Sequence, residues 1–199
     1  GAGSTDCSIV NASLGADQDA CEGTTVTLDA TSTEAASYAW AVDTGAGFMP
    51  VLDGGGAQVT TAMLDVTASG EYQVTITDTA GDTGTDEVVV TFFTVPVATA
   101  PNDIFECDTD ADGFASFNLD AQNSDILNGQ SATEFSVSFH LSQADADTGA
   151  GALAGTTTYN SVSDEIFVRV ENNGLPACSS TTSFNIEVVA LPIATMPAT

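Results

Sequence analysis

The sequence predicts an all-β chain of two tandem antiparallel β-sandwich modules, residues 1–97 and 98–199, joined by a proline-containing linker. Three observations carry this. Val95-Pro96-Val97-Ala98-Thr99-Ala100-Pro101 recurs as Leu191-Pro192-Ile193-Ala194-Thr195-Met196-Pro197, 96 residues on, and a prolyl linker copied at domain spacing marks a tandem array. Both halves consist of short apolar/polar alternations separated by Gly, Asp, Ser and Thr turns, the pattern of half-buried strands. The 199 residues are room for two domains of about 100 residues each. Because the second linker copy reaches the last residues, the chain is expected to be cut from a longer string of modules or to polymerise end to end.

In module one the candidate strands are Ser8–Ala12, Thr24–Asp29, Ala36–Val42, Phe48–Leu52, Val59–Val66, Gly70–Asp78 and Val88–Val95. Alternation turns Val26 and Leu28 inward, sets Tyr38, Trp40 and Val42 on one face, and aligns Tyr72, Val74 and Ile76. Trp40 lies mid-strand in the third element, where an immunoglobulin-type core sets its tryptophan, and Tyr72 follows a Ser69-Gly70 corner where a tyrosine corner falls. The modules are therefore expected to be Ig-like. The second cysteine of an inter-sheet disulfide would stand at position 74, which is Val; Cys7 and Cys21 are then expected to pair and pin the N-terminal edge.

Module two opens with Asn102–Cys107, an aspartate-rich loop and Ala115–Leu119. Asp120–Gly129 reads as one or two helical turns, capped by Asp120 at the start and Gly129 at the end. Phe135, Val137, Phe139 and Leu141 alternate with Ser136, Ser138 and His140, which places His140 outward. Ile166, Val168 and Val170 alternate with Phe167, Arg169 and Glu171; Phe184, Ile186 and Val188 alternate with Asn185 and Glu187.

Charge narrows the partners. Against 28 acidic residues stands one basic side chain, Arg169. Phosphate recognition needs clustered Lys and Arg, so nucleic acid is excluded, and anionic membrane surfaces are disfavoured for the same reason. The expected partners are neighbouring modules, cations, cationic surfaces, or neutral ligands such as glycans. The chain is not an acidic disordered tail, because 43% of it is hydrophobic and ordered in alternation. Such charge density needs relief by salt or divalent ions, which fits a halophilic or marine setting. No apolar run approaches a membrane span, and the start, Gly1-Ala2-Gly3-Ser4, places any export signal outside the chain. Cys7, Cys21, Cys107 and Cys178 contain no CxxC, which argues against zinc and for structural disulfides in an exported, extracellular protein. Four cysteines allow three pairings. Independent folding of array modules predicts Cys7–Cys21 and Cys107–Cys178, one bridge per module.

The candidate metal site is Asp108-Thr109-Asp110-Ala111-Asp112-Gly113-Phe114. Carboxylates at positions 1, 3 and 5, glycine at 6 and a carbonyl at 7 are what calcium takes from a loop, so Asp108, Asp110, Asp112 and Phe114 are the expected ligands. Position 12, a bidentate Glu in an EF-hand, is Leu119, and no long helices flank the loop. The competing reading is a solvated metal-free turn, since Asp and Gly form turns anyway. Asp145–Gly149 and Asp78–Glu87 read as two further acidic loops. His140 beside Ser138 lacks the orienting acid of a hydrolase relay and reads as an exposed strand position. Arg169 is expected to pair with Glu171 or Glu187.

Module two, through Pro101-Asn102-Asp103-Ile104-Phe105-Glu106-Cys107-Asp108, Phe139-His140-Leu141-Ser142-Gln143-Ala144-Asp145-Ala146-Asp147 and Ile166-Phe167-Val168-Arg169-Val170-Glu171-Asn172, resembles a repeat of very large Bacteroidetes surface proteins, among them gliding-motility adhesin-like proteins exported by the type IX route. Module one resembles their Ig-like or PKD-like repeats through Cys21-Glu22-Gly23-Thr24-Thr25-Val26-Thr27-Leu28 and Gly70-Glu71-Tyr72-Gln73-Val74. The WDFGDG signature of PKD domains is absent, as Trp40 is followed by Ala41-Val42-Asp43. The Gly-Cys turn common after the family's sixth strand is replaced by Gly81-Asp82, which under the resemblance leaves Cys21 to Cys7. Asp78-Thr79-Ala80 resembles the Bacteroidetes O-glycosylation motif, making Thr79 the candidate glycosylation site. The resemblance implies surface display and adhesion, with no catalytic residues to carry over. The expected role is an extracellular stalk, adhesin segment or filament subunit, stiffened by disulfides and calcium, and not an enzyme. The alternatives are a calcium-dependent glycan-binding module and an accessory domain of a secreted hydrolase.

Overall fold

The computed structural model describes residues 10–192; Cys7, the start of the first candidate strand and the linker copy beyond Pro192 lie outside them. The chain divides into two compact units, Gly1–Phe93 and Thr94–Thr199. Val97 and Ala98 belong to the second: the Val97 N–H donates to Gln130 Oε1 (2.9 Å) and the Ala98 N–H to Ser180 Oγ (2.7 Å).

Unit one is a β-sandwich. One sheet has five strands in the order β1-β7-β6-β3-β4, formed by β1 (Gln18–Cys21), β7 (Thr83–Phe93), β6 (Gly70–Thr77), β3 (Ser37–Asp43) and β4 (Met49–Pro50). The other pairs β2 (Val26–Asp29) with β5 (Met63–Val66). Leu28, Leu64 and Val66 from the small sheet meet Trp40, Tyr72, Val74, Ile76, Val88 and Val90 from the large one. Trp40 is fully buried and its indole N–H donates to the Thr61 carbonyl at 2.8 Å, so the ring enters the core without stranding a donor. Tyr72 makes the tyrosine corner, its hydroxyl donating to the Ala68 carbonyl at 2.7 Å. Burial pushes the phenol pKa up, which keeps that hydroxyl protonated and donating well into alkaline conditions.

The first strand differs from expectation. Residues 10–16 carry no strand, although Val10 and Leu14 are buried. The sheet's first member is Gln18–Cys21, and it runs parallel to β7 while the other pairings are antiparallel. A parallel pair needs a long crossover, and here nearly the whole module intervenes. The segment before β1 is held by the Leu14 N–H on Asp86 Oδ2 (2.6 Å) and by close approach to Gly84, where an added Cβ would lie 2.1 Å from the Val10 carbonyl oxygen. Gly84→Ala should therefore displace Val10–Leu14 and cost about 2 kcal/mol, in the range of an overpacked core. Chemical denaturation checks this; an unchanged midpoint would mean that the segment moves aside freely.

Unit two has a four-stranded sheet ordered β10-β12-β13-β8 and a second pair, β9 with β11. The strands are β8 (Ile104–Asp108), β9 (Ala115–Phe117), β10 (Phe135–His140), β11 (Tyr159–Ser161), β12 (Asp164–Asn172) and β13 (Ser179–Ala190). β8 again lies parallel to the last strand. Phe117, Leu119, Ile126, Phe139, Ile166, Val168, Val170, Phe184 and Ile186 fill the core, with Phe139 and Phe184 edge-to-face at 6.2 Å. The predicted helical turns are a 3-10 turn, Leu119–Gln122, running into α1 (Asn123–Leu127). Asn118 rather than Asp120 caps the start, and Asn128 in the left-handed conformation ends it one residue before Gly129.

The acidic stretch at 145–149 is not a loop. It belongs to α2 (Gln143–Thr148), where Ser142 accepts the Asp145 N–H and donates its hydroxyl to Asp145 Oδ2 (2.7 Å), closing a reciprocal cap. This helix packs on β10, β12 and β13 and covers the sheet face that alternation had assigned to solvent.

Candidate functional site

Covering that face changes two residues. His140 is fully buried instead of outward-facing, with Nδ1 2.7 Å from the Ala150 carbonyl and Nε2 2.9 Å from Ser138 Oγ. A backbone carbonyl thus stands where a hydrolase relay would need a carboxylate. Arg169 is 5% exposed, and the expected Glu171 partner is one of four: Nε donates to Glu171 Oε2 (2.8 Å), Nη1 to the carbonyls of Ala146 (3.1 Å) and Asp147 (2.8 Å), and Nη2 to the Pro176 carbonyl (2.6 Å). A cation at the last carbonyls of α2 is favourably placed against the helix dipole, and the Pro176 contact ties the same guanidinium to the loop that bears Cys178.

That loop, residues 173–178, joins β12 to β13. The Cys178 N–H donates to the Leu175 carbonyl (2.9 Å), its carbonyl accepts the Asn172 N–H (2.9 Å), and Asn172 Oδ1 accepts the Gly174 N–H (2.8 Å). Asn173 ties the loop to its neighbour, donating from its N–H to the Glu134 carbonyl (2.9 Å) and from Nδ2 to the Thr133 carbonyl (3.1 Å), and accepting from Ser136 Oγ. Cys178 is buried and disulfide-bonded; Cys21, half-buried, is disulfide-bonded too. Cys107, in contrast, is a free and exposed thiol. The Cys107–Cys178 bridge expected for module two is therefore not formed. Cys107 lies near the end of edge strand β8, paired with Val189 of β13, whereas Cys178 precedes the first residue of β13. Ten strand residues at about 3.4 Å each separate those ends, far beyond the reach of a disulfide.

The two parallel edge strands share a local design that the sequence reading did not single out. In unit one Asp17 Oδ1 accepts the Val89 N–H (2.9 Å), and four residues on Cys21 is in register with Phe93. In unit two Asp103 Oδ1 accepts the Asn185 N–H (2.7 Å), and four residues on Cys107 is in register with Val189. Phe93 and Val189 each stand three residues before a linker proline, Pro96 and Pro192. The repeated Asp-x-x-x-Cys was the available signal.

In the aspartate loop, Asp108, Asp110 and Asp112 bring one carboxylate oxygen each within 4.8 Å of one another. Asp108 Oδ1 accepts the N–H groups of Ala111 (2.6 Å) and Asp112 (3.3 Å), Oδ2 accepts that of Gly113 (2.9 Å), and Asp112 Oδ1 accepts that of Phe114 (2.8 Å). These bonds, from Gly113 foremost, hold the Asp108 carboxyl below the usual carboxylate range. Its stabilising contribution is full above the unfolded value and is lost as pH falls through the lowered folded value. Ala111 (φ 63°) and Gly113 (φ 86°) take the left-handed conformations that let these donors converge. Asp43 and Asp53 collect backbone N–H groups in the same way in unit one, so the chain uses this turn repeatedly. Phe114 is exposed, and Leu119, in the twelfth position, is core. Thr79 is exposed at the β6–β7 turn, where Asp78 Oδ1 accepts the N–H groups of Ala80 and Asp82. Among the described residues, no helix is long and apolar enough to cross a membrane.

Residues 103–192 match the family described as the Flavobacterium inter-domain disulphide bond domain. The match lies within the second unit and bears out a Bacteroidetes-type module there. No curated protein matches the chain. Among solved structures it is similar to Dpr2 Ig1-Ig2 in complex with DIP-Theta Ig1-Ig3 (10% identity, TM-score 0.35), covering 88% of this chain and 62% of that one. It is also similar to the fibronectin(III)-like modules of Clostridium thermocellum CbhA (12%, 0.34; 93% and 96%) and to the insect immune protein hemolin (11%, 0.39; 90% and 46%). The chain thus spans less than two thirds of the first of these. At such scores the likenesses carry nothing about its site or partners. Sheets, disulfide and family match together define a tandem β-sandwich segment of a structural repeat kind, containing a disulfide.

Proposed function

We propose that the chain is an extracellular structural segment, a stalk or adhesin repeat, whose modules are locked in series by a Cys21–Cys178 disulfide. The observation that carries this is the free Cys107. With it excluded, Cys178 has only Cys7 and Cys21 as partners within the chain, both in the other unit; Cys21 is itself bonded, and only Cys21–Cys178 satisfies both. The family description, a domain of inter-domain disulphides, supports the same pairing. Chemically, a bridge across a linker removes the freedom that two prolines leave, so that a string of sandwiches transmits force without hinging. Disulfides persist outside the reducing cytosol, which agrees with display at the cell surface. Gliding-motility export and O-glycosylation at Thr79 belong to the same reading.

Calcium is a secondary part of the proposal. The three convergent carboxylates fit a hard cation, but Asp108 is already satisfied by backbone N–H groups and the twelfth-position ligand is missing, so binding would be weak, in the roughly millimolar class of extracellular modules. Asp110→Asn with Asp112→Asn, which spares the Asp108 turn, should abolish a calcium-dependent rise in melting temperature of a few degrees; a parent chain indifferent to millimolar calcium contradicts it. The glycan-binding alternative draws on exposed Phe105, just before the loop, and exposed Phe114, its last residue.

Solution scattering with and without reductant tests the locked segment. The account predicts a larger radius of gyration and a rising Kratky tail after reduction. Superimposable profiles would overturn it.

A further inference from the structure

We propose that Asn128-Gly129 is a site of spontaneous covalent modification, in which Asn128 passes through a succinimide to aspartate and isoaspartate. The isoaspartate form loosens the linker from unit two. The inference is independent of the Cys21–Cys178 pairing.

The sequence contains two Asn-Gly pairs, Asn128-Gly129 and Asn173-Gly174, and both asparagines are exposed. In such a pair the following backbone nitrogen can attack the asparagine amide carbon, because glycine adds no side chain to hinder it. Bonding separates the two. At Asn173 every reacting group is held: Nδ2 donates to the Thr133 carbonyl (3.1 Å), Oδ1 accepts from Ser136 Oγ, and the Gly174 N–H donates to Asn172 Oδ1 (2.8 Å). At Asn128, neither the side-chain amide nor the Gly129 N–H has a hydrogen-bond partner among the described residues. The space is open as well: a Cβ built on Gly129 would meet nothing within 4 Å, and Asn128 ends a helix of only five residues.

The reaction needs only water. The Gly129 nitrogen bonds to Asn128 Cγ, the Cγ–Nδ2 bond breaks, and ammonia leaves with the proton from Gly129. Water then opens the ring at either carbonyl, giving aspartate or isoaspartate. In isoaspartate the main chain runs through Cγ, so a methylene enters the backbone and a carboxylate replaces the amide. That insertion lies just before Gln130, the residue that grips the linker. Gln130 Oε1 accepts the Val97 N–H (2.9 Å), and Nε2 donates to the carbonyls of Val97 (2.7 Å) and Leu127 (2.9 Å). Asn128 itself closes α1 in the left-handed conformation, with its N–H on the Ser124 carbonyl (3.0 Å), a geometry set for an ordinary α-linked residue.

The test ages the native chain at mildly alkaline pH in heavy-oxygen water, then maps peptides for deamidation and isoaspartate. Heavy oxygen in the product marks ring opening during ageing and not during digestion. A parallel sample in urea gives the rates without structure, and there the two pairs should react alike. In the folded chain Asn128 should keep close to its unfolded rate, whereas Asn173 should react roughly 100-fold more slowly, since its hydrogen bonds must open first. Ser136→Ala, at an exposed position, should speed Asn173 and leave Asn128 unchanged. In the isoaspartate fraction, separated by ion exchange, the Val97 amide should exchange with solvent faster. Asn128 that stays intact while the unfolded chain deamidates, or that gives aspartate without isoaspartate, overturns the site. Equal Val97 exchange in both fractions overturns its coupling to the linker.

Discussion

Trp40→Ala is expected to destabilise unit one by about 4 kcal/mol, the cost of removing a fully enclosed aromatic from a core that cannot collapse around the gap. Trp40 is 0% exposed, packs among residues of both sheets and satisfies the Thr61 carbonyl. Trp40→Phe should recover roughly half of the loss, since it restores most of the ring but leaves that carbonyl unpaired. Calorimetry or circular dichroism measures the effect as a lowered first-unit transition. A loss below about 1 kcal/mol would mean that the two sheets are not packed through this ring.

Arg169→Met should cost unit two about 3 kcal/mol, near the lower end of the range for breaking a buried charge pair because Glu171 remains partly solvated. Four acceptors lose their donor, among them the α2 carbonyls of Ala146 and Asp147 and the Pro176 carbonyl beside Cys178. Arg169→Lys should rescue little, because a single ammonium cannot reach acceptors spread over the guanidinium fork. The sole tryptophan lies in unit one, so under reducing conditions its fluorescence transition should stay in place while the second-unit circular dichroism transition falls. Parallel shifts of both transitions would contradict a role confined to unit two.

How far the sequence could be read depended on whether the signal was local. The inward Trp40, the Tyr72 corner and the Ile166-Val168-Val170 stripe were legible because a two-residue period and a corner motif are written in adjacent positions. His140 and Arg169 were misplaced for a related reason: alternation tells which residues share a face, not whether a six-residue helix further along the chain covers that face. Strand β1 was missed because Gln18-Asp19-Ala20 is polar and finds its partner some 70 residues on. The aspartates were recognised, but three carboxylates at alternate positions describe a cation loop and an N–H-collecting turn equally well. The Cys107–Cys178 bridge does not form because one bridge per module follows only if each module closes its own. Asp17-x-x-x-Cys21 and Asp103-x-x-x-Cys107 lie 86 residues apart, a spacing masked by the 96-residue linker repeat.

The most direct measurement is a non-reducing peptide map of the native chain, with free thiols alkylated before digestion. The account predicts a linked peptide containing Cys21 and Cys178, and alkylated Cys107. Recovery of Cys7 linked to Cys21, or of Cys107 linked to Cys178, would contradict it.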